Sequence, residues 1–549
     1  MAFANDDRLN IDALFVVFGK NPHTSRTKRG PLEMEVKNRS ALEASGYLFV
    51  AAVYPLFCQQ TWAVVEGIAR FAATCSLLVF FLFCTAPTVY AQEAQPLTSG
   101  LNQERPLGPG ESHVYTITLQ VGAGVLGEAD QHGIDLVIDI FGPDGKLIRT
   151  VDTPNGAEGP EPIDLTAFQT GLYKLVIHTL DEKAMPGKYV MKIDRVLTVV
   201  ENAQRMAQAM AEYRKFDDRI SLLRARNAKQ YAITSPKGID EAHYVTIGGI
   251  EQWVTIRGRN RDNPVLLFLH GGPGDVTSNW TFSLFAPWEK QFTVVQWDQR
   301  GAGKTLRKTV SVAPTMTVDT LVQDGIELSE YLRKHLGKDK IVIVGHSFGT
   351  ILGLGMARAR PDLFYAYVGT GQVADETRNY SAAYDALLKK AQTVGNQQVI
   401  DDLRRVGPPP YKSAEGYGVQ RRWANAFEGA DLFLIGELGL KLVAPGNTLQ
   451  DFNDSEEGQL FSGQHLVPQT TSKGPKQLGL EFAIPMFFIQ GAEDFTTPTA
   501  LARSYLDSIK APRKEFVTIN GGGHFAVFMH SDQFLQELVK LVGPLTVNR

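Results

Sequence analysis

Two hydrophobic periods follow one another along the chain, and each predicts a different kind of element. From residue 97 to 198 apolar positions recur every second residue. In "HVYTITLQV" Tyr115, Ile117, Leu119 and Val121 share a face, and in "DLVIDIF" Leu136, Ile138 and Ile140 do. In "YKLVIHT" the face is Tyr173, Leu175 and Ile177, and in "KYVMKID" it is Tyr189, Met191 and Ile193. Such alternation turns one side of an antiparallel strand to a core and the other to water. The stretches "GPDGK", "TPNG" and "MPGK" supply turns between these runs. Several short strands with one buried face each predict a small β-sandwich over 97–198.

The period then lengthens. Val199, Ala203, Met206, Met210, Tyr213, Phe216, Ile220 and Leu223 recur every three or four residues, which predicts an amphipathic helix within a linker over 199–235. From 236 onward the apolar runs no longer alternate. "PVLLFLH", "FTVVQWD" and "KIVIVGH" are apolar on both faces, as parallel strands covered by helices must be. "HYVTIGG" and "QWVTIRG" read as a hairpin ahead of them, and "TVDTLVQDGIELSEYLRKHL" as a helix between the last two runs. Strands alternating with helices predict an α/β domain over 236–549.

Composition narrows this picture rather than changing it. The chain of 549 residues is long enough for two or three domains, and its 44% hydrophobic and 21% charged residues are those of a globular protein. A net charge of -4 gives no reason to expect nucleic acid or an anionic membrane as partner. All three cysteines, Cys58, Cys75 and Cys84, precede the two predicted domains, so neither domain has a disulfide, a cysteine nucleophile or a thiolate metal site. Asp135, Asp139 and Asp144 form no dense oxygen-ligand loop, and no metal or other cofactor is expected.

One apolar run stands apart. "RFAATCSLLVFFLFCTAPTVYA", residues 70–91, has a positive residue, a core of signal-peptide length and small residues at Val89 and Ala91. It predicts an export signal over 64–91, cleaved after Ala91, and a periplasmic or extracellular protein with no membrane span after cleavage. Phe83 ahead of Cys84 argues against a lipidation site. Residues 1–63 show no sustained period, and a start near Val64 or Val65 would place the signal where signals belong.

The candidate chemistry sits at the ends of the buried runs. In "KIVIVGHSFGTILGLGMA" a strand ends in Gly345-His346-Ser347-Phe348-Gly349 and a helix begins at once, the strand–turn–helix setting that a G-x-S-x-G nucleophile elbow needs. A serine nucleophile needs a base and an orienting acid, in the chain order serine, acid, histidine. Asp494 follows the run "IPMFFIQG" and His524 follows "RKEFVTIN", at spacings of 147 and 30 residues. Glu493 and His530 are the lower-ranked rivals. The developing oxyanion needs backbone N–H donors. Phe348 supplies one, and Gly272 in the loop "HGGPG" after an early strand supplies the other.

"HGGPG", "WDQRGAGKT", "GHSFGT", "GAED" and "GGGH" together resemble the prolyl aminopeptidase (proline iminopeptidase) family of α/β-hydrolases over about residues 240–549. The resemblance implies an α/β-hydrolase fold with a helical cap, here about 374–480, and release of an N-terminal proline or other small apolar residue. It implies that Asp298, Gln299 and Arg300 brace the site. It also implies that a cap glutamate receives the substrate amine. In "RRWANAFEGAD" Glu428 stands at that position, with Phe427 in place of the family's tryptophan. The substrate is then a small peptide; an ester substrate, or a non-catalytic binding role on a hydrolase scaffold, is the alternative. Epoxide hydrolases place an aspartate at the elbow, which Ser347 excludes. The run "DLVIDIFGPDGK…GLYKLVI…PGKYVMKI" resembles the bacterial pre-peptidase C-terminal type of domain, an accessory β-sandwich of secreted hydrolases.

Overall fold

A computed structural model describes residues 94–546, apart from 154, 181–185, 310, 311, 412, 413 and 474. The predicted export signal and the extension before it therefore lie outside the described residues. The chain divides into two units, one ending at Asp218 and the other starting at Arg219.

The first unit is built by the period of two. Among the described residues nine strands form two sheets: β1 (Gln95–Pro96), β2 (Asn102–Leu107), β3 (Ser112–Leu119), β4 (Gly124–His132), β5 (Leu136–Phe141), β6 (Leu147–Val151), β7 (Glu158–Thr166), β8 (Gly171–Thr179) and β9 (Gly187–Leu197). Their orders are β1-β3-β8-β5-β6 and β2-β9-β4-β7, antiparallel throughout except β1 beside β3. Tyr115, Ile138, Leu175 and Ile177 of one sheet share a core with Val125, Ile163, Met191 and Ile193 of the other. This is the all-β sandwich that the alternation predicts. Val121 differs: it lies beyond the end of β3 and is 54% exposed.

Helix α1 (Val199–Gln230) runs seven residues past Leu223, the last position of the apolar period, and its burial is not what that period implies. Met210 and Val199 are exposed, whereas Asn202, Ile220 and Asn227 are buried. The two asparagines anchor it. Asn202 Nδ2 donates to the Gly122 carbonyl at 3.0 Å within the first unit. Asn227 Nδ2 donates to the Val443 carbonyl at 3.0 Å within the second. A buried amide with a backbone partner costs little, so a hydrophobicity stripe alone misses it.

Among the described residues the second unit has one sheet of eight strands: β10 (Ile239–Ile247), β11 (Ile250–Gly258), β12 (Val265–Leu269), β13 (Thr293–Trp297), β14 (Ile341–His346), β15 (Phe364–Thr370), β16 (Met486–Gly491) and β17 (Lys514–Ile519). The order is β10-β11-β13-β12-β14-β15-β16-β17. β10, β11 and β13 pair antiparallel; the rest is parallel. The unbroken apolar runs are explained by two cores. Leu267, Leu269, Ile341 and Ile343 face α2 (Val318–Leu336) and α3 (Phe348–Ala359), while Leu266, Phe268, Val342 and Val344 face Trp280, Trp288 and the last helix. Between β15 and β16 lies the helical cap: α4 (Glu376–Val394), α5 (Gln397–Val406), α6 (Ala414–Glu428), α7 (Asp431–Val443) and α8 (Leu449–Lys473), with a short turn at Pro475–Leu478. Among the described residues no helix is long and apolar enough to cross a membrane.

The sheet order positions the site. The chain steps from β12 outward to β13, then crosses back to β14, so β12 lies between them. Leu269 at the end of β12 is level with Gly345 at the end of β14. The loops after these two strands leave the sheet side by side at its switch point, where α/β sheets leave room for ligands.

Candidate active site

Ser347 sits on the turn between β14 and α3 with φ 51° and ψ −121°, and among the described residues no other non-glycine has a positive φ. A conformation of this kind costs about 1–3 kcal/mol and persists only where the surroundings impose it. They do so by close approach. A Cβ on Gly349 would stand 2.2 Å from the Leu269 carbonyl oxygen, and one on Gly271 would stand 3.1 Å from Ser347 Cβ. Glycine at 349 lets α3 start against β12, and glycine at 271 lets the "HGGPG" loop lie against the serine.

The structure brings Ser347, His524 and Asp494 together. His524 Nε2 is 3.1 Å from Ser347 Oγ, and its Nδ1 is 3.1 Å from Asp494 Oδ2. Asp494 is buried but not alone. Its Oδ1 accepts from the backbone N–H groups of Thr496 at 2.9 Å and Thr497 at 2.7 Å. Its Oδ2 accepts from Gln490 Nε2 and Thr497 Oγ1, each at 2.7 Å. Burial works to raise the Asp494 pKa, but the charge of His524 and the hydrogen bonds from His524 and Thr497 outweigh it and hold the carboxyl below its usual range. A carboxylate so held fixes Nδ1–H toward itself and leaves Nε2 to accept from the serine. The rivals lie elsewhere: Glu493 pairs with Lys390 at 2.7 Å, and His530 Nε2 bonds the Gly521 carbonyl at 3.1 Å.

Gly272 has φ +101°, which a side chain would strain. Among the described residues neither its N–H nor that of Phe348 meets a protein acceptor, so both are available to a ligand. The loop is braced from behind. His270 Nδ1 bonds the Gly271 carbonyl at 3.0 Å, and its Nε2 accepts from the Gln299 N–H at 3.3 Å. Burial pushes His270 down to about 4, so it stays neutral, as the accepting Nε2 requires. Asp298 accepts from the Lys304 N–H at 3.0 Å, and Arg300 holds Asp324 through two bonds of 2.8 and 3.0 Å.

Glu428, the cap carboxylate that the resemblance implies receives the substrate amine, is buried and bonded to backbone. It ends α6, is 8% exposed, and accepts from two backbone N–H groups, Phe495 at 2.8 Å and His524 at 2.7 Å. Burial and the neighbouring Asp494 push it up to about 8.

Four features escape the sequence reasoning. Thr497 and Gln490 complete the shell of Asp494; Thr497, three residues on, is in plain view as a turn residue. His346 Nε2 donates to the His524 carbonyl at 3.1 Å, and burial pushes its pKa down to about 3, which keeps it neutral. The buried Lys441 lies 3.0 Å from Glu437, 3.1 Å from Glu456 and 3.9 Å from Asp275, the last residue of "HGGPGD". Burial opposes the Lys441 charge, but the three carboxylates hold its pKa above the usual lysine value. The i,i+4 spacing of Glu437 and Lys441 is the sequence signal for that pair.

Residues 264–531 match the family described as the alpha/beta hydrolase fold. The second unit has the α/β-hydrolase fold. Over 296 residues the chain is 29% identical to a protein named a probable aminopeptidase, YbaC of Bacillus subtilis, spanning 53% of this chain and 93% of that one. It is 37% identical over 103 residues to a probable proline iminopeptidase of Streptomyces coelicolor, spanning 19% of this chain and only 31% of that protein. A solved structure of a proline iminopeptidase-related protein from Thermus thermophilus is 18% identical, with a TM-score of 0.38 over 56% of this chain and 99% of that one. The chain, with an α/β-hydrolase fold in its second unit, is thus related to aminopeptidase YbaC and to proline iminopeptidases, and carries an additional N-terminal all-β unit.

Proposed function

We propose that the protein is a serine hydrolase that releases the N-terminal residue of small peptides through an acyl-enzyme. The observation that carries the hydrolase reading is the chain of contacts Ser347 Oγ to His524 Nε2 and His524 Nδ1 to Asp494, each 3.1 Å. In this reading His524 takes the proton of Ser347 as Oγ attacks the substrate carbonyl carbon. The negative charge on the carbonyl oxygen is met by the N–H groups of Gly272 and Phe348. His524 then gives its proton to the leaving amine. Water, activated by the same base, releases the acid and restores the serine.

The aminopeptidase reading is supported by the similarity to YbaC over 93% of that protein's length. It is also supported by the surplus of carboxylates, Glu437, Glu456 and Asp275, around the single Lys441 beside the oxyanion loop. Such a surplus favours a cationic substrate end. One observation favours the second reading, an esterase: Glu428, the expected amine receptor, already holds two backbone N–H groups. A panel of aminoacyl amides, their N-acetylated forms and acyl esters separates the two. The aminopeptidase reading expects acetylation to abolish turnover. Equal turnover of the acetylated substrates refutes it in favour of an esterase.

Ser347→Ala should lose both turnover and labelling by a fluorophosphonate while keeping its circular dichroism, with a fall in kcat of roughly a millionfold. Full labelling of the alanine variant would refute the nucleophile. We propose further that the protein is exported, on the strength of residues 64–91.

A further inference from the structure

Glu428 is the last residue of cap helix α6, yet both its oxygens reach the two loops that carry the acid and the base. Oε1 accepts from the N–H of Phe495, next to Asp494, and Oε2 from the N–H of His524 itself. The fit is close: a Cβ on Gly523 would stand 2.5 Å from Glu428 Oε2, so only glycine lets the base loop approach.

The same cap holds these loops at other points. The Phe495 side chain is part of the cap's own core, with Tyr384, Leu387 and Leu403. Lys390 pairs with Glu493 at 2.7 Å, and Arg421 lies 5.8 Å from the centre of the Phe525 ring. Burying a carboxylate beside another carboxylate is costly: burial and Asp494 push the Glu428 pKa above its usual range, and the N–H groups of His524 and Phe495 work against that rise. An apolar side chain would fill the space at lower cost. What the carboxylate adds is the pair of hydrogen bonds.

We propose that Glu428 is a positioning residue: by holding the backbone of His524 and Phe495 it ties the acid and base loops to the cap, so that seating of the cap sets the geometry of the catalytic base. His346, donating to the His524 carbonyl, holds the other end of the same residue. The proposal rests on the serine-hydrolase reading and adds to it a dependence of the base on the cap.

The test compares Glu428→Gln with wild type in the full chain. It measures kcat and KM on an aminoacyl p-nitroanilide and on p-nitrophenyl butyrate, together with the rate of Ser347 labelling by a fluorophosphonate, which carries no amine. A glutamine can accept from one of the two N–H groups but presents its own N–H₂ to the other. A positioning role lowers kcat on both substrates and the labelling rate together, on the order of 10- to 100-fold, with KM little changed. An unchanged labelling rate, with only KM for the free-amine substrate raised, overturns the proposal and returns Glu428 to substrate binding. If wild type itself does not label at Ser347, the serine-hydrolase reading fails, and hydrogen exchange then decides the clamp alone. In the wild-type chain the amides of Phe495 and His524 should exchange slowly, and rapid exchange at both overturns the proposal even where the variant does not fold.

Discussion

Ser347 occupies a backbone conformation that a free serine would leave, and the residues that keep it there also place its partners. His346, one residue earlier, turns its ring to the carbonyl of His524, while Gly271 lies against the serine from the other side. His346 can donate from Nε2 when neutral and is too buried to charge easily. That gives a signed prediction. Its pKa is lowered from 6.5 to about 3 by burial, so the unfolded chain takes up the proton first as pH falls. The stability it contributes is present above pH 6.5 and is lost as pH drops from there toward 3, at about 1.4 kcal/mol per pH unit. His270, lowered to about 4, acts in the same direction, whereas Asp298, raised to about 6 by burial, opposes them. The contribution of His346 is therefore read as a difference. Relative to wild type, His346→Gln should flatten the fall in denaturation midpoint between pH 6.5 and 4, and parallel curves would refute it.

At the scale of elements, the central strands are held by the burial of both faces. Ile343 of β14 is fully buried against α2 and α3, and its neighbours Val342 and Val344 belong to the opposite core. Truncation there opens a cavity that the sheet cannot close from either side. Ile343→Ala should cost about 2–5 kcal/mol in urea unfolding, and a loss below 1 kcal/mol would show that the core relaxes around it. Helix α2 is bounded locally: Thr317 Oγ1 accepts from the Thr320 N–H at 3.0 Å, and Gly337 ends it with φ 63°. Such caps are written in adjacent residues. The cap helices are bounded by similar means, as Asn396 ahead of α5 shows by accepting from the Val399 N–H at 3.3 Å.

At the scale of the molecule, the two units rest on different physics. The first buries alternating residues between two sheets; the second buries continuous runs between a sheet and helices. Among the described residues neither contains a cysteine, which suits an exported protein without requiring export. The export proposal has its own test: N-terminal sequencing of the mature protein from outside the cytoplasm should begin at Gln92. Recovery of residues from 1–60 on that protein would refute both the cleavage after Ala91 and the later start.

What the sequence determined by itself is what depends on neighbours along the chain. Period two against continuous apolar runs separates sandwich from α/β sheet, because burial on one face or on both follows from strand geometry. The elbow around Ser347 and the strand-end positions of Asp494 and His524 were legible for the same reason: a turn between a strand and a helix has a local signature. Tertiary structure alone decided the rest. Glu428 meets Phe495 and His524 across 67 and 96 residues, and His346 meets the His524 carbonyl across 178. In those contacts the acceptors or donors are backbone groups, which every residue carries, so no pattern of side chains announces them. The order of Asp494 above its neighbour Glu493 was already given by the chain; in the fold the loop turns Asp494 toward His524 and leaves Glu493 to Lys390.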